Sequence, residues 1–152
     1  MNAEIRQFSP EYAGQIKPKG VIVLLTDGAL YTKPDQWDRF EKDLSKIDEQ
    51  YVGRSRFWIA LDGGNVIGFV GLLEEGKETC RLKRMHVHFD YQRQGNGQSL
   101  LDTAISFAKE QGYSRMVLKS GKAHKKAQPF YQKNGFKKIG EDETFFHYSL
   151  DL

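Results

Sequence analysis

The residues most open to a chemical reading are six in a row, Gln92-Arg93-Gln94-Gly95-Asn96-Gly97. The first amides of a helix have no partner within it and stand at the positive end of its dipole, so such a turn favours an anion. With no side chain at Gly95 or Gly97, a phosphate oxygen could come within hydrogen-bonding distance of bare backbone, and the turn reads as a pyrophosphate cradle. Two nucleotide loops are excluded. No Lys-Ser or Lys-Thr pair follows the second glycine, and neither a third glycine nor an acidic strand end completes a dinucleotide fingerprint.

The elements that must position this turn lie on both sides of it. Residues 80–89 have strand character, with Leu82 and Arg84 on one face and Met85 and Val87 in the adjacent register. Downstream, Leu100, Leu101, Ala104, Ile105 and Ala108 recur at helical spacing until Gly112, which suits a left-handed C-cap. Earlier in the chain, residues 4–8 read as a strand, and Ser9-Pro10-Glu11 as a helix start that Lys17-Pro18-Lys19-Gly20 breaks. The apolar run 21–25 fits helix or strand equally, residues 26–33 read as a loop, and Pro34-Asp35 opens a helix with a Trp37, Phe40, Leu44 and Ile47 stripe. Residues 57–61 and 66–73 predict a hairpin around Asp62-Gly63-Gly64-Asn65, and residues 74–77 turn into the strand before the cradle. Residues 115–119 read as a strand, followed by a short helix through Tyr131 that admits Pro129 only in its first turn. Residues 136–139 and 144–150 make a closing hairpin.

Two spaced motifs carry a family resemblance. The hexapeptide resembles the Gln/Arg-x-x-Gly-x-Gly/Ala loop of the GCN5-related N-acetyltransferases (GNAT), which holds the pyrophosphate of acetyl-coenzyme A. His124, Ala127, Tyr131, Gly135 and Phe136 are similar to the family's second signature, Asn-x-x-Ala-x-x-x-Tyr-x-x-x-Gly-Phe, with His124 standing for the Asn. The resemblance runs from about residue 56 to the C-terminus. It implies an α/β (α+β) GNAT acyl-CoA N-acyltransferase fold, a mixed, mostly antiparallel sheet with helices on both faces, over residues 1–152 as one domain. In that fold residues 21–25 belong to the first helical region. The strand ending near Val87 and the strand 115–119 splay apart to admit the pantetheine arm.

The resemblance implies acetyl-CoA as cosubstrate and direct transfer to an amine in a ternary complex. Coenzyme contacts map to the backbone of Met85 and Val87, to Gln92, to the amides of Arg93, Gln94, Gly95, Asn96, Gly97 and Gln98, and to His124. Tyr131 takes the position of the acid that protonates the leaving thiolate, and a phenol of pKa about 10 is matched to that task. For the base, Glu74, Glu75, Glu78, His86 and His88 are all candidates, with none preferred. The acceptor, a small amine ahead of a peptide, falls to the region before residue 56. There Tyr31 and Trp37 could form an aromatic wall, and Asp27, Asp35, Asp38 and Glu41 could attract a cation.

Composition narrows the other classes. A net charge of +3, from 23 basic and 20 acidic residues, is too balanced to argue for nucleic acid. The lysines at 119, 122, 125, 126, 133, 137 and 138 are not interleaved with aromatics for base stacking. Cys80, the single cysteine, excludes an internal disulfide; as a nucleophile it lacks a neighbour on its own strand face to lower its pKa. One cysteine and four histidines show no metal-ligand spacing. No apolar run reaches roughly 18 residues and no leader pattern is present, so the expectation is a soluble, untargeted cytoplasmic protein without a membrane partner. Open sheet edges make a homodimer an option. The main rival function is a non-catalytic acyl-CoA binding or sensing module that keeps the cradle without turnover.

Overall fold

The computed structural model describes residues 3–16 and 46–152. The expectations for the run 21–25, the loop 26–33, the Pro34 helix and the acceptor residues Asp27, Tyr31, Asp35, Trp37, Asp38 and Glu41 lie outside these residues.

The described strands form a seven-stranded sheet in the order β1-β2-β3-β4-β5-β7-β6. They are β1 (Glu4–Gln7), β2 (Arg56–Asp62), β3 (Asn65–Glu74), β4 (Thr79–Val87), β5 (Arg115–Gly121), β6 (Lys137–Glu141) and β7 (Phe145–Asp151). Every pairing is antiparallel except β4 with β5. That one parallel contact needs a crossover, which α2 (Asn96–Glu110) supplies. Shorter helical pieces are a 3₁₀ turn over Pro10–Gln15, α1 (Ile47–Gln50), a second 3₁₀ turn over Phe89–Tyr91, and α3 (Ala127–Lys133). Ser9-Pro10 therefore opens a 3₁₀ helix rather than an α-helix. The strand read as 80–89 stops at Val87, where the second 3₁₀ turn takes over.

Local sequence accounts for most of these elements. Gly63 and Gly64 both have positive φ, 57° and 90°, as a two-residue turn matched to strand twist requires, and they join β2 to β3 at the Asp62–Asn65 pair. Phe57–Leu61 and Val66–Leu72 are buried without alternation because both sheet faces are covered. On one face α2 lays down Leu100, Leu101, Ala104 and Ala108 against Ala60, Val70, Leu72, Cys80 and Leu82, with Tyr131 and Phe136 completing the cluster. Leu100 and Leu101 are fully buried, so truncating either to Ala costs about 2–5 kcal/mol. On the other face Phe57, Ile59, Leu61 and Phe69 pack against Ile16, Ile47 and Tyr51. Gly112, with φ of 81°, follows the end of α2, and the Tyr113 N–H donates back to the Ala108 carbonyl at 3.1 Å.

One expectation about β4 is corrected. Simple alternation assigned Leu82 and Met85 to different faces, but Leu82, Met85 and Val87 all pack with the α2-side cluster. Between Phe69–His86 and Gly71–Lys83 the pairing advances two residues on β3 and three on β4. This is a β-bulge, and Arg84 absorbs it with φ of 57°. The extra residue flips the register, so His86 rather than Met85 faces Phe69, at 5.3 Å between ring centroids.

Candidate active site

Two departures from regular pairing open a cleft in the middle of the sheet. β4 and β5 pair only at Thr79–Arg115, Cys80–Met116 and Arg81–Val117, although the strands run on to Val87 and Gly121. Beyond that point they part around a cleft of about 420 Å³ whose walls include Met85, His86, Leu118, Ser120, His124 and Tyr131. The bulge lies on one lip and leaves Met85 without an opposite residue on β3.

The hexapeptide sits at the start of α2. Gln92 to Gly95 wind through a turn in which Arg93 has φ of 61° and Gly95, the N-cap, has φ of 86° and ψ of 1°. Glycine takes that left-handed conformation without the cost a side chain carries. The first intrahelical bond runs from the Ser99 N–H to the Gly95 carbonyl at 2.9 Å, so the amides of Asn96, Gly97 and Gln98 open the helix ahead of it. The first turn contains no acidic residue that would compete for these groups.

Four of the residues assigned to the coenzyme have side chains engaged within the protein. Gln92 Nε2 donates to the Val87 carbonyl at 2.9 Å, and Gln94 Nε2 to the Asp90 carbonyl at 3.1 Å. Asn96 is buried; its Oδ1 accepts from the Ala3 N–H at 3.2 Å and its Nδ2 donates to the Tyr91 carbonyl at 3.0 Å. Gln98 and Asn134 exchange amide hydrogen bonds of 2.6 and 3.1 Å, while Asn134 Nδ2 also donates to the Phe130 carbonyl at 2.8 Å. These side chains shape the loop; the groups it offers an anion are backbone N–H groups. Gly97 also differs from expectation, because a Cβ there would lie 3.7 Å from Val87 Cγ2 and 3.9 Å from Phe130 Cζ, in ordinary contact inside the protein.

Tyr131 lies on α3 and is brought to the same cleft as Met85. Its ring is wedged edge-on between Phe130 and Phe136, with centroids 5.4 and 5.5 Å away, so packing fixes its direction. Pro129 is the third residue of α3, in the first turn as required. His124 lines the cleft beside the end of β5, where its ring lies against Gly121. A Cβ on Gly121 would stand 2.9 Å from His124 Cδ2, so the glycine makes room for the imidazole. Burial lowers the pKa of His124, which favours the neutral ring.

The base candidates fare differently. Glu74 is paired with Arg54 at 2.9 Å and Glu75 with Arg81 at 2.7 Å, at the turn between β3 and β4. Neither they nor Glu78 line the cleft. His88 Nδ1 accepts the Asp90 N–H at 3.1 Å and caps a 3₁₀ turn. His86 does reach the cleft, but burial, with Arg84 and His124 nearby, pushes its pKa down to about 3. Cys80 is buried, with its thiol pushed up to about 12 by burial and its Sγ 3.6 Å from the Arg115 carbonyl, which removes it as a nucleophile. Of the basic cluster, Lys119 and Lys122 reach the cleft wall, and Lys122 shares Glu141 with Lys138 at 2.7 and 2.8 Å.

The sequence assigns no site role to Arg84, Gly121 or Asn134. The signal for Asn134 was its spacing, three residues after Tyr131 and directly before Gly135. Arg84 and Gly121 carried none that alternation could register.

A sheet parted beside a β-bulge, with a helix N-terminus at one end of the gap, defines an acyl-coenzyme A type acetyltransferase scaffold. Residues 53–138 match the family described as Acetyltransferase (GNAT) domain, and the chain belongs to the GNAT family. It is similar to human N-acetyltransferase 8, 37% identical over 68% of this chain and 48% of that protein. It is also similar to human N-acetyltransferase 8B, 36% identical over 73% of this chain and 53% of that one. The chain thus spans about half the length of these curated relatives. Among solved structures, a GNAT-family acetyltransferase of Staphylococcus aureus superposes with a TM-score of 0.84 at 26% identity, over 98% of both chains. The PaiA N-acetyltransferase of Thermoplasma acidophilum, solved in complex with coenzyme A, shares the fold at 0.84 and 22% identity over 100% of both chains. Among the described residues no helix is long and apolar enough to cross a membrane.

Proposed function

We propose that this chain transfers the acetyl group of acetyl-CoA to a primary amine by direct attack within a ternary complex. The observation that carries the reading is the convergence on one cleft of the β4 bulge at Met85 and the α3 tyrosine, with the opening amides of α2 beyond Val87. Gly95, Asn96, Gly97 and Gln98 offer backbone N–H groups suited to a pyrophosphate, and the parted strands leave a cleft lined by Met85 and His124. The coenzyme supplies a thioester carbonyl that a neutral amine can attack. In this reading the Met85 N–H, displaced from the β3 ladder, stabilises negative charge on that carbonyl oxygen. As the C–N bond forms and the C–S bond breaks, Tyr131 gives its phenolic proton to the sulfur. The amine proton leaves through water, since no carboxylate lines the cleft among the described residues.

The test is thiol release from acetyl-CoA against a panel of primary amines, comparing wild type with Tyr131→Phe. The expected result is turnover that falls about 10²-fold or more in the variant, with coenzyme affinity unchanged. Coenzyme binding without thiol release for any amine or peptide would favour the sensing module. Failure to bind coenzyme would refute the site itself.

A further inference from the structure

The cradle loop, between the end of β4 and the start of α2, stores backbone strain. Arg93 has φ of 61° although it carries a side chain, and Gly95 follows at 86°. Left-handed geometry at such a residue persists where the surroundings over-determine it. The bonds from Gln92 to the Val87 carbonyl and from Gln94 to the Asp90 carbonyl close within the segment itself, so they shape the loop without fixing it to the body of the sheet. Tyr91 does both. Its carbonyl accepts from buried Asn96, the first residue of α2, at 3.0 Å. Its ring packs against the cluster beneath α2 and stands edge-on to His88, with 5.7 Å between centroids. Its phenol O–H leaves the loop altogether and donates to Asp62 Oδ2 at 2.7 Å.

Asp62 is a firm anchor. It is the last residue of β2 and pairs with Asn65 across the Gly63-Gly64 turn. An O–H donated to a carboxylate at this length is charge-assisted and stronger than a neutral bond. The same bond raises the Tyr91 pKa, so the phenol keeps the proton it donates. Neither side chain lines the cleft. We propose that Asp62 and Tyr91 are positioning residues for the coenzyme, their bond holding residues 92–98 in the strained turn that aims the opening α2 amides at the pyrophosphate. The proposal rests on the cradle reading for its ligand. A loop released from Asp62 relaxes toward conformers in which Arg93 returns to negative φ and the amides no longer converge. The apparent dissociation constant for coenzyme then rises as the competent fraction falls.

Calorimetry of coenzyme A binding compares wild type with Tyr91→Phe, Asp62→Ala, Asp62→Asn and the double variant Tyr91→Phe/Asp62→Ala. The expected result is an affinity about tenfold weaker in Tyr91→Phe, the scale of one hydrogen bond to a charged group. Asp62→Ala should lose a similar factor, and the double variant no more than either, because both remove one bond. Asp62→Asn keeps an oxygen for the phenol and should recover most of the affinity. A second readout needs no ligand. The Tyr91 and Ser99 N–H groups bond the His88 and Gly95 carbonyls, and their hydrogen exchange should quicken in Tyr91→Phe while the amides of β2 and β3 exchange as in wild type. General destabilisation does not give that pattern. Unchanged coenzyme affinity in Tyr91→Phe, additive losses in the double variant, an Asp62→Asn protein as weak as Asp62→Ala, or exchange that quickens equally across the sheet would overturn the positioning role and leave the cradle standing. A wild-type protein that does not bind coenzyme A would remove the cradle reading, and this proposal with it.

Discussion

Gly95 and Gly97 are two residues apart in one loop, yet the structure assigns them opposite responses to the same substitution. Gly95 has φ of 86° and open space where a Cβ would go, so Ala there meets no neighbour and suffers only backbone strain. A left-handed conformation costs a side-chain-bearing residue about 1–2 kcal/mol, and the stiffer unfolded chain offsets about 0.4–1 of that. The net loss is on the order of 1 kcal/mol, which for a chain of this size lowers Tm by about 2–4 °C. Gly97 is the second residue of α2, and its Cβ would fall into ordinary contact with Val87 and Phe130, away from the opening amides. Ala at a helical position gains up to about 1 kcal/mol over Gly, so Gly97→Ala should raise Tm by a similar 2–4 °C. The check is thermal unfolding of both variants with and without saturating coenzyme A. Gly95→Ala should lose both stability and most of the ligand-induced shift, because strain relaxes by turning the loop amides away. Gly97→Ala should be more stable and keep the whole shift. A Gly97→Ala protein that is less stable, or that no longer responds to coenzyme, would refute the reasoning about where that Cβ points.

Two further outcomes follow from named contacts. The reciprocal Gln98–Asn134 amide pair ties the opening of α2 to the end of α3, and a double-mutant cycle of Gln98→Ala and Asn134→Ala should give a coupling of about 1–2 kcal/mol in denaturant unfolding. Additive losses would mean that the two helices do not lean on each other through it. His86 is held neutral with a folded pKa of about 3 against an ordinary 6.5, so it binds its proton more readily when unfolded. Its contribution is therefore fully present above pH 6.5 and is lost progressively as pH falls toward 3. Unfolding free energy measured from pH 7.5 to 5 should decline in the wild type and decline less in His86→Phe; parallel curves would show that the imidazole is not neutral in the fold.

Much of the architecture is legible where a local rule has no competitor. The Gly63-Gly64 turn between two apolar runs, the Leu100 to Ala108 periodicity and the Gly112 stop each follow from backbone sterics or from one buried stripe. Gathering Tyr131 with the end of β4 was legible only through the paired motifs, since no local rule links residues so far apart. What stayed hidden depends on pairing. Lys83-Arg84-Met85-His86 mixes polar and apolar residues in a way that fits a straight strand as well as a bulged one. Only the register with β3 reveals the extra residue. For the same reason Glu74 and Glu75 looked close to the site. They are near its strand in sequence, but β4 carries the chain across the sheet before the cleft begins, and both carboxylates are spent on Arg54 and Arg81 at the far end. The sequence did not show where the loop's side chains go: Gln92, Gln94 and Asn96 donate to backbone carbonyls that only the folded turn brings near them.

The bulge does more than uncover one amide. With strict alternation through β4, Met85 and Val87 would share the side of Arg81 and Lys83, and His86 would lie under α2 against Leu100. A single extra residue at Arg84 reverses this for the last third of the strand. Met85 and Val87 then continue the apolar wall below α2, which suits an uncharged arm. His86 turns toward Phe69 and is desolvated into its neutral form. Arg81, Lys83 and Lys119 are left on the other side. One backbone irregularity thus keeps the last third of β4 apolar toward α2, from a strand whose residues alternate too weakly to do so alone.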